Sequence, residues 1–182
     1  EVLKAPELKL KGKSLVFTGV MDYEPNEDAM VYFIQEVFDK VAEKCPEVTL
    51  YIVGKNPTDK LKKLVINRKN IIVTGKVDSV FSYIKSSTIY ISPLRIGSGK
   101  KNKIIEAISC GTPLIASTVS MEGFEDIEDK NLILRADSSN EWVENICKLL
   151  SDEEKRIDIK KRMFNLLDES YSWKNIAKKL VE

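Results

Sequence analysis

Between Ser92 and Ala107 the chain concentrates the groups that hold a phosphate best: Gly97-Ser98-Gly99, with Arg95, Lys100, Lys101 and Lys103 around it. The segment follows an apolar run, Thr88-Ile89-Tyr90-Ile91, and leads into residues with helical spacing. A glycine turn from strand to helix leaves backbone N–H groups unpaired, with the positive end of the helix dipole behind them. Such a turn holds anions, and phosphates above all. Glu106 stands about one turn further along, where its carboxylate can accept hydrogen bonds from ribose or sugar hydroxyls. Phosphate donors beside a hydroxyl acceptor suggest a nucleotide-sugar site. Plainer roles are open to the same residues. Gly97-Ser98-Gly99 also fits a tight turn, because glycine permits positive φ. Glu106 can pair with Lys103 or Asn102 on a helix surface, Lys101 fits a solvated face, and Arg95 can serve in a salt bridge.

Apolar runs and amphipathic stretches alternate on both sides of this segment. Strands are expected at Leu15–Gly19, Val48–Gly54, Ile71–Gly75, from Thr88, at Pro113–Ser117 and at Asn131–Leu134. Between them, Asn26–Cys45 carries one apolar stripe of Met30, Phe33, Ile34, Val37, Phe38 and Val41. Shorter helices are expected after Pro57, around Val80–Ile84 and at Lys100–Cys110, with three more near 140–150, 152–167 and 173–181. Continuous apolar strands separated by helices indicate an α/β, doubly wound parallel sheet of Rossmann-like type, covered on both faces. Such sheets bind ligands outside the carboxyl ends of their strands. Gly19, Gly54, Gly75 and the glycine turn all fall at that edge.

The 182 residues suit one domain with a real core, at 43% hydrophobic and 31% charged content. A net charge of +1 gives no electrostatic case for nucleic acid. The absence of histidine excludes a Ser-His-Asp triad, a histidine base and a histidine metal site. Cys45, Cys110 and Cys147 have no CxxC spacing and read as buried thiols of a reducing compartment. No apolar run approaches the length of a membrane span. Glu1 to Lys13, with little periodicity and no initiating methionine, reads as a linker from an N-terminal domain, leaving 14–182 as the α/β domain.

The order Phe17-Thr18-Gly19 with Pro25-Asn26, then Ile52-Val53-Gly54, Thr74-Gly75-Lys76-Val77 and the 92–107 segment resembles family-4 glycosyltransferases. Ala107-Ile108-Ser109-Cys110-Gly111-Thr112-Pro113-Leu114-Ile115-Ala116, Glu122-Gly123 and Tyr171-Ser172-Trp173 continue the likeness, which spans residues 14–182. The resemblance implies the C-terminal half of a GT-B fold, in which two Rossmann-like domains face each other across a cleft. That half binds the nucleotide diphosphate sugar donor. By the same resemblance Glu106 binds the ribose, and the amides of Gly97, Ser98 and Gly99 hold the diphosphate. Gly75, Lys76 and Val77 meet the base, and Gly19, Asn26 and Lys100 complete the donor-binding set. Many members have a carboxylate in the glycine loop where this chain has Ile96. Many have an arginine and a lysine after the first strand, near Val20 and Asn26 here. Arg95, Lys100 and Lys103 are expected to supply the missing charge, Arg95 and Lys103 in the catalytic role of stabilising the leaving diphosphate. Asn26 also fits a helix N-cap between Pro25 and acidic residues. Glu122 is a further loop carboxylate, and Trp142 and Trp173 read as core or docking residues.

The implied function is retaining sugar transfer to a glycoconjugate or polysaccharide acceptor, with no metal and no cofactor beyond the donor. The implied setting is the cytoplasm, with peripheral association at the cytoplasmic membrane face open to the full-length enzyme. Acceptor contacts are expected from an N-terminal GT-B domain, so this chain alone is expected to turn over nothing. The alternative is a non-catalytic α/β module that keeps the fold without donor binding, suggested by Val20, Asn26 and Ile96. A nucleotide-sugar epimerase is disfavoured by the lack of histidine. A receiver domain is disfavoured by the missing acidic cluster after Phe17-Thr18.

Overall fold

The computed structural model describes residues 2–124, 127 and 132–170. The helix expected near 173–181, with Trp173, lies outside them. Six strands are present: β1 (Lys13–Thr18), β2 (Val48–Val53), β3 (Ile71–Gly75), β4 (Ile89–Ser92), β5 (Leu114–Ala116) and β6 (Ile133–Arg135). They form one parallel sheet of order β3-β2-β1-β4-β5-β6. Every residue of β2 is buried, and so is every residue of β1 after Lys13. Strands without a solvent face must be covered on both sides, which requires helical crossovers.

The covering helices are α1 (Glu24–Tyr32), α2 (Asp39–Lys44), α3 (Asp59–Val65), α4 (Val80–Ser86), α5 (Asn102–Ser109), α6 (Ser139–Ser151) and α7 (Glu153–Ser170). A π-helical segment, Phe33–Phe38, joins α1 to α2 in one continuous rod. It packs with α6, while α5 packs with α4 and α7 on the other face. The apolar spacing predicts the buried stripe correctly but not the π segment. A π turn aligns residues five apart, and here Phe33 and Phe38 share a face with ring centroids 6.5 Å apart. Trp142, buried on α6, meets the Phe33 ring edge-on at 5.7 Å, so its place is the core. A reciprocal capping box, Ser138 with Glu141, starts α6.

Two helix starts differ from expectation, and both bear on the site. The N-cap of α1 is Tyr23, with Pro25 in the first turn, so Asn26 lies inside the helix and is not a cap. Its amide is buried and committed elsewhere, as described below. Helix α5 begins at Asn102 behind an extended Lys101, later than Lys100, so the glycine turn stands off from the helix end. The residues before β1 pack along the domain. The Leu8 N–H donates to Ser86 Oγ and the Lys11 N–H to the Tyr51 hydroxyl, each at 2.8 Å.

Strand order reverses between β1 and β4, which opens a crevice at their carboxyl ends. The loops after β1 and β2 meet there in a close backbone approach. Gly54 has φ +145°, and a Cβ on it would lie 1.8 Å from the Gly19 carbonyl oxygen. Gly54→Ala is therefore expected to destabilise the domain by about 2–5 kcal/mol, read as a lowered urea midpoint; an unchanged midpoint would contradict this packing.

Candidate functional site

A cavity of about 300 Å³ opens at this crevice, lined by Thr18, Gly19, Val20, Gly54, Lys55, Lys76, Val77, Val80 and Glu106. Four of the residues singled out from the sequence thus meet here: Gly19, Lys76, Val77 and Glu106. Lys55 and Val80 belong to no motif, and Thr18 enters the sequence reading only as the end of a strand; the sheet order brings all three together. Glu106 projects from α5, half-buried, and its carboxylate accepts no hydrogen bond among the described residues. It pairs closely with neither Asn102 nor Lys103. Burial raises its pKa, and the nearby Lys103 charge opposes that shift. A carboxylate in a cavity without donors is set up to accept hydroxyls.

Lys103 lies one turn earlier on α5, largely enclosed. Its ammonium donates to Asn26 Oδ1 at 2.7 Å and sits 4.1 Å from the centroid of the Phe17 ring. The Asn26 amide in turn donates to the Val20 carbonyl at 2.9 Å. Gly19 makes room for this arrangement, since a Cβ there would stand 2.6 Å from Asn26 Nδ2. Desolvation pushes the Lys103 pKa down to about 7; Glu106 favours the charged form and Lys101 disfavours it. Asn26 is therefore the residue that holds Lys103 beside the cavity.

The glycine turn lies outside the residues that line the cavity. Gly97 and Gly99 have φ of +112° and +76°, and the Gly97 Cα faces Pro25 of α1. The Gly99 N–H donates to Glu122 Oε2 at 2.8 Å. Lys101 is not on a solvated face: its side chain is only 11% exposed, with the ammonium 3.6 Å from Glu122 Oε2 and donating to the Gly99 carbonyl. Lys100 lies over the Phe124 ring, 5.3 Å from its centroid. Arg95 is placed away from the cavity lining. It forms a two-point ion pair with Asp28, with Nε to Oδ2 at 2.9 Å, and stacks 4.7 Å from the Tyr32 centroid. Ser98, Ile96 and Val20 are exposed.

Below the turn a buried serine network joins the loops after β4 and β5. The Ser117 hydroxyl donates to the Leu94 carbonyl at 2.5 Å, Ser120 to the Ser92 carbonyl at 2.6 Å, and Ser92 to Ser120 Oγ at 2.9 Å. Isolated serines give no sequence signal of this kind. At the switch point itself, Thr18 Oγ1 and the Tyr90 hydroxyl share a buried hydrogen bond of 2.7 Å.

The family model for glycosyl transferases group 1 matches residues 12–152. This chain belongs to that family. An uncharacterized glycosyltransferase of Methanocaldococcus jannaschii is 32% identical over 140 residues, which make up 72% of this chain but only 35% of the relative's length. Staphylococcus aureus TarM, solved as a mutant in complex with fondaparinux, alpha-GlcNAc-glycerol and UDP, superposes with a TM-score of 0.79 at 18% identity, covering 100% of this chain and 37% of TarM. Anabaena HepE in complex with UDP gives 0.74 at 15% identity, over 94% of this chain and 49% of HepE. These likenesses establish the fold, that of a GT-B glycosyltransferase C-terminal domain. Among the described residues of this family member no helix is long and apolar enough to cross a membrane. Of its thiols only Cys110 is buried, while Cys45 and Cys147 are half-buried with sulfurs 3.9 Å apart.

Because the Lys103 pKa is depressed in the fold, the unfolded chain binds more protons between about pH 7 and the ordinary lysine value of 10.5. The Lys103 contribution to stability should therefore rise with pH across that window, by no more than about 1.4 kcal/mol per pH unit, while above the ordinary thiol value of 9.0 the raised pKa values of Cys110 and Cys147 act in the opposite direction. Between about pH 7 and pH 9 the slope should be smaller in Lys103→Met, measured by chemical denaturation at stepped pH; an equal slope in both proteins would refute the assignment.

Proposed function

We propose that this chain is the donor-binding half of a two-domain glycosyltransferase that transfers a sugar from a nucleoside diphosphate to a glycoconjugate or polysaccharide acceptor. The observation that carries the reading is the unpartnered Glu106 carboxylate in the crevice cavity, with the enclosed Lys103 ammonium beside it. Glu106 takes the ribose hydroxyls, and the main chain at Gly75, Lys76 and Val77 meets the base. Lys103 and the amides of Gly97 and Ser98 take the diphosphate, and Lys100 adds charge nearby; the Gly99 amide, expected there too, is engaged by Glu122. Arg95, anchored by Asp28, contributes positive potential without entering the cavity. UDP in the solved TarM and HepE complexes supports a nucleoside diphosphate as the ligand class. The alternative of a module without donor binding loses its basis at Asn26, which holds the cation rather than replacing it.

Charge develops on the diphosphate as the sugar–oxygen bond breaks, and fixed amides with an ammonium stabilise it without reorganisation. Lys103, whose pKa desolvation lowers to about 7, becomes fully protonated as the dianionic group arrives. The transfer is retaining and requires no metal, and acceptor contacts come from an N-terminal domain, which leaves this chain alone without turnover.

Calorimetric titration with UDP, GDP, ADP and CMP, with and without a chelator, should find one saturable ligand whose affinity ignores the chelator. Glu106→Ala should weaken it by about ten-fold or more, the loss expected for hydrogen bonds to a charged acceptor; unchanged affinity would sink the reading. Binding above pH 7 should take up protons, seen as a heat that depends on the buffer's ionisation enthalpy. In the full-length enzyme, proton NMR of the product should show the donor's anomeric configuration.

A further inference from the structure

Cys45 and Cys147 stand 102 positions apart in the chain, yet the Cys45 thiol donates to the Cys147 sulfur at 3.9 Å. Packing of α2 against α6 brings them together. Cys45 closes α2: its N–H donates to the Val41 carbonyl at 2.8 Å, and its carbonyl accepts from the Val48 N–H at 2.9 Å, where β2 starts. Cys147 follows Ile146 in α6, whose buried stripe also holds Trp142, Val143 and Leu150. Both backbones are thus fixed by the fold, while both side chains are only half-buried and within reach of a small molecule. A disulfide bond is about 2.0 Å long, so side-chain rotation has a gap of about 2 Å to close. Cys110 is no competitor: it caps α5 on the opposite face of the sheet and is buried.

We infer that Cys45 and Cys147 form a modification site, where a small-molecule disulfide of the glutathione class oxidises the pair to an intramolecular disulfide. The Cys45 thiolate attacks one sulfur of the oxidant and expels the other as a thiolate. Cys147 then attacks the Cys45 sulfur of the mixed disulfide and releases the second thiolate. Two protein thiols are oxidised, the oxidant is reduced to two thiols, and the protons given up by the cysteines pass to them through solvent. Burial and then the Cys45 sulfur push the Cys147 thiol up to about 11, with the Lys44 charge opposing. That places Cys147 in the second step, where proximity compensates for a small thiolate fraction. The bond ties the end of α2 to α6 and closes a loop holding β2 to β6, which restricts the unfolded chain far more than the folded one. It lies where β2 starts, at the edge of the sheet away from the crevice, and leaves the cavity lining in place.

The test equilibrates the full chain with oxidised glutathione, then denatures it in an alkylating agent and digests it without reduction. Alkylatable thiols should fall from three to one, with Cys110 the free one and a peptide joining Cys45 to Cys147. Cys110→Ser should keep the linkage, while Cys45→Ser and Cys147→Ser should form none within the chain. The oxidised chain should unfold roughly 5–10 °C above the reduced one in a thermal melt, and a dithiol reductant should remove the gain. Unchanged thiols in excess oxidant, stable mixed disulfides without the joining peptide, or a pairing through Cys110 would each overturn the inference. So would linkages between chains, or a melting temperature no higher after oxidation.

Discussion

The site depends on a line of close approaches that only glycine permits. Gly54 presses against the Gly19 carbonyl, and Gly19 in turn leaves the space that the Asn26 amide fills. That amide spans the loop after β1 and the first turn of α5, donating to Val20 and accepting from Lys103. A side chain at either glycine would push apart the elements that form the cavity. The crevice at the strand-order reversal is therefore set by backbone contact first, and its charges are placed as a consequence.

Those charges are poorly served by their protein neighbours. Desolvation is the largest influence on both Lys103 and Glu106, and it drives each toward its neutral form despite their mutual attraction. The ammonium has one amide oxygen and a ring face as company; the carboxylate has no donors. A ligand with an anionic diphosphate next to ribose hydroxyls would relieve both conditions at once. Groups whose pKa values are shifted by desolvation beside a charged neighbour in a cleft cluster at functional sites.

The glycine turn follows a different logic. Where the cavity leaves its groups unpartnered, the glycine loop is engaged by its own chain: Glu122 on Gly99, Lys101 on Glu122, Lys100 on Phe124. Beneath these contacts the buried hydroxyls of Ser92, Ser117 and Ser120 tie the loops after β4 and β5 together. Arg95 belongs to a third cluster, with Asp28 and Tyr32 on α1, where fixed charge shapes the approach to the site.

Much of this was legible in the residues taken alone. The strands, the parallel sheet, the buried stripe through Val41 and the gathering of Gly19, Gly54 and Gly75 at one edge follow from apolar runs, glycine endings and helical spacing. Such signals act between near neighbours, through the periods of strand and helix. The sequence by itself thereby determined the fold class. Only the tertiary structure decided which partner each charge receives. Asn26 and Lys103 are 77 residues apart and Gly99 and Glu122 are 23 apart. No local period links positions so distant; they meet because the sheet order brings the loops of β1, β4 and β5 to one edge.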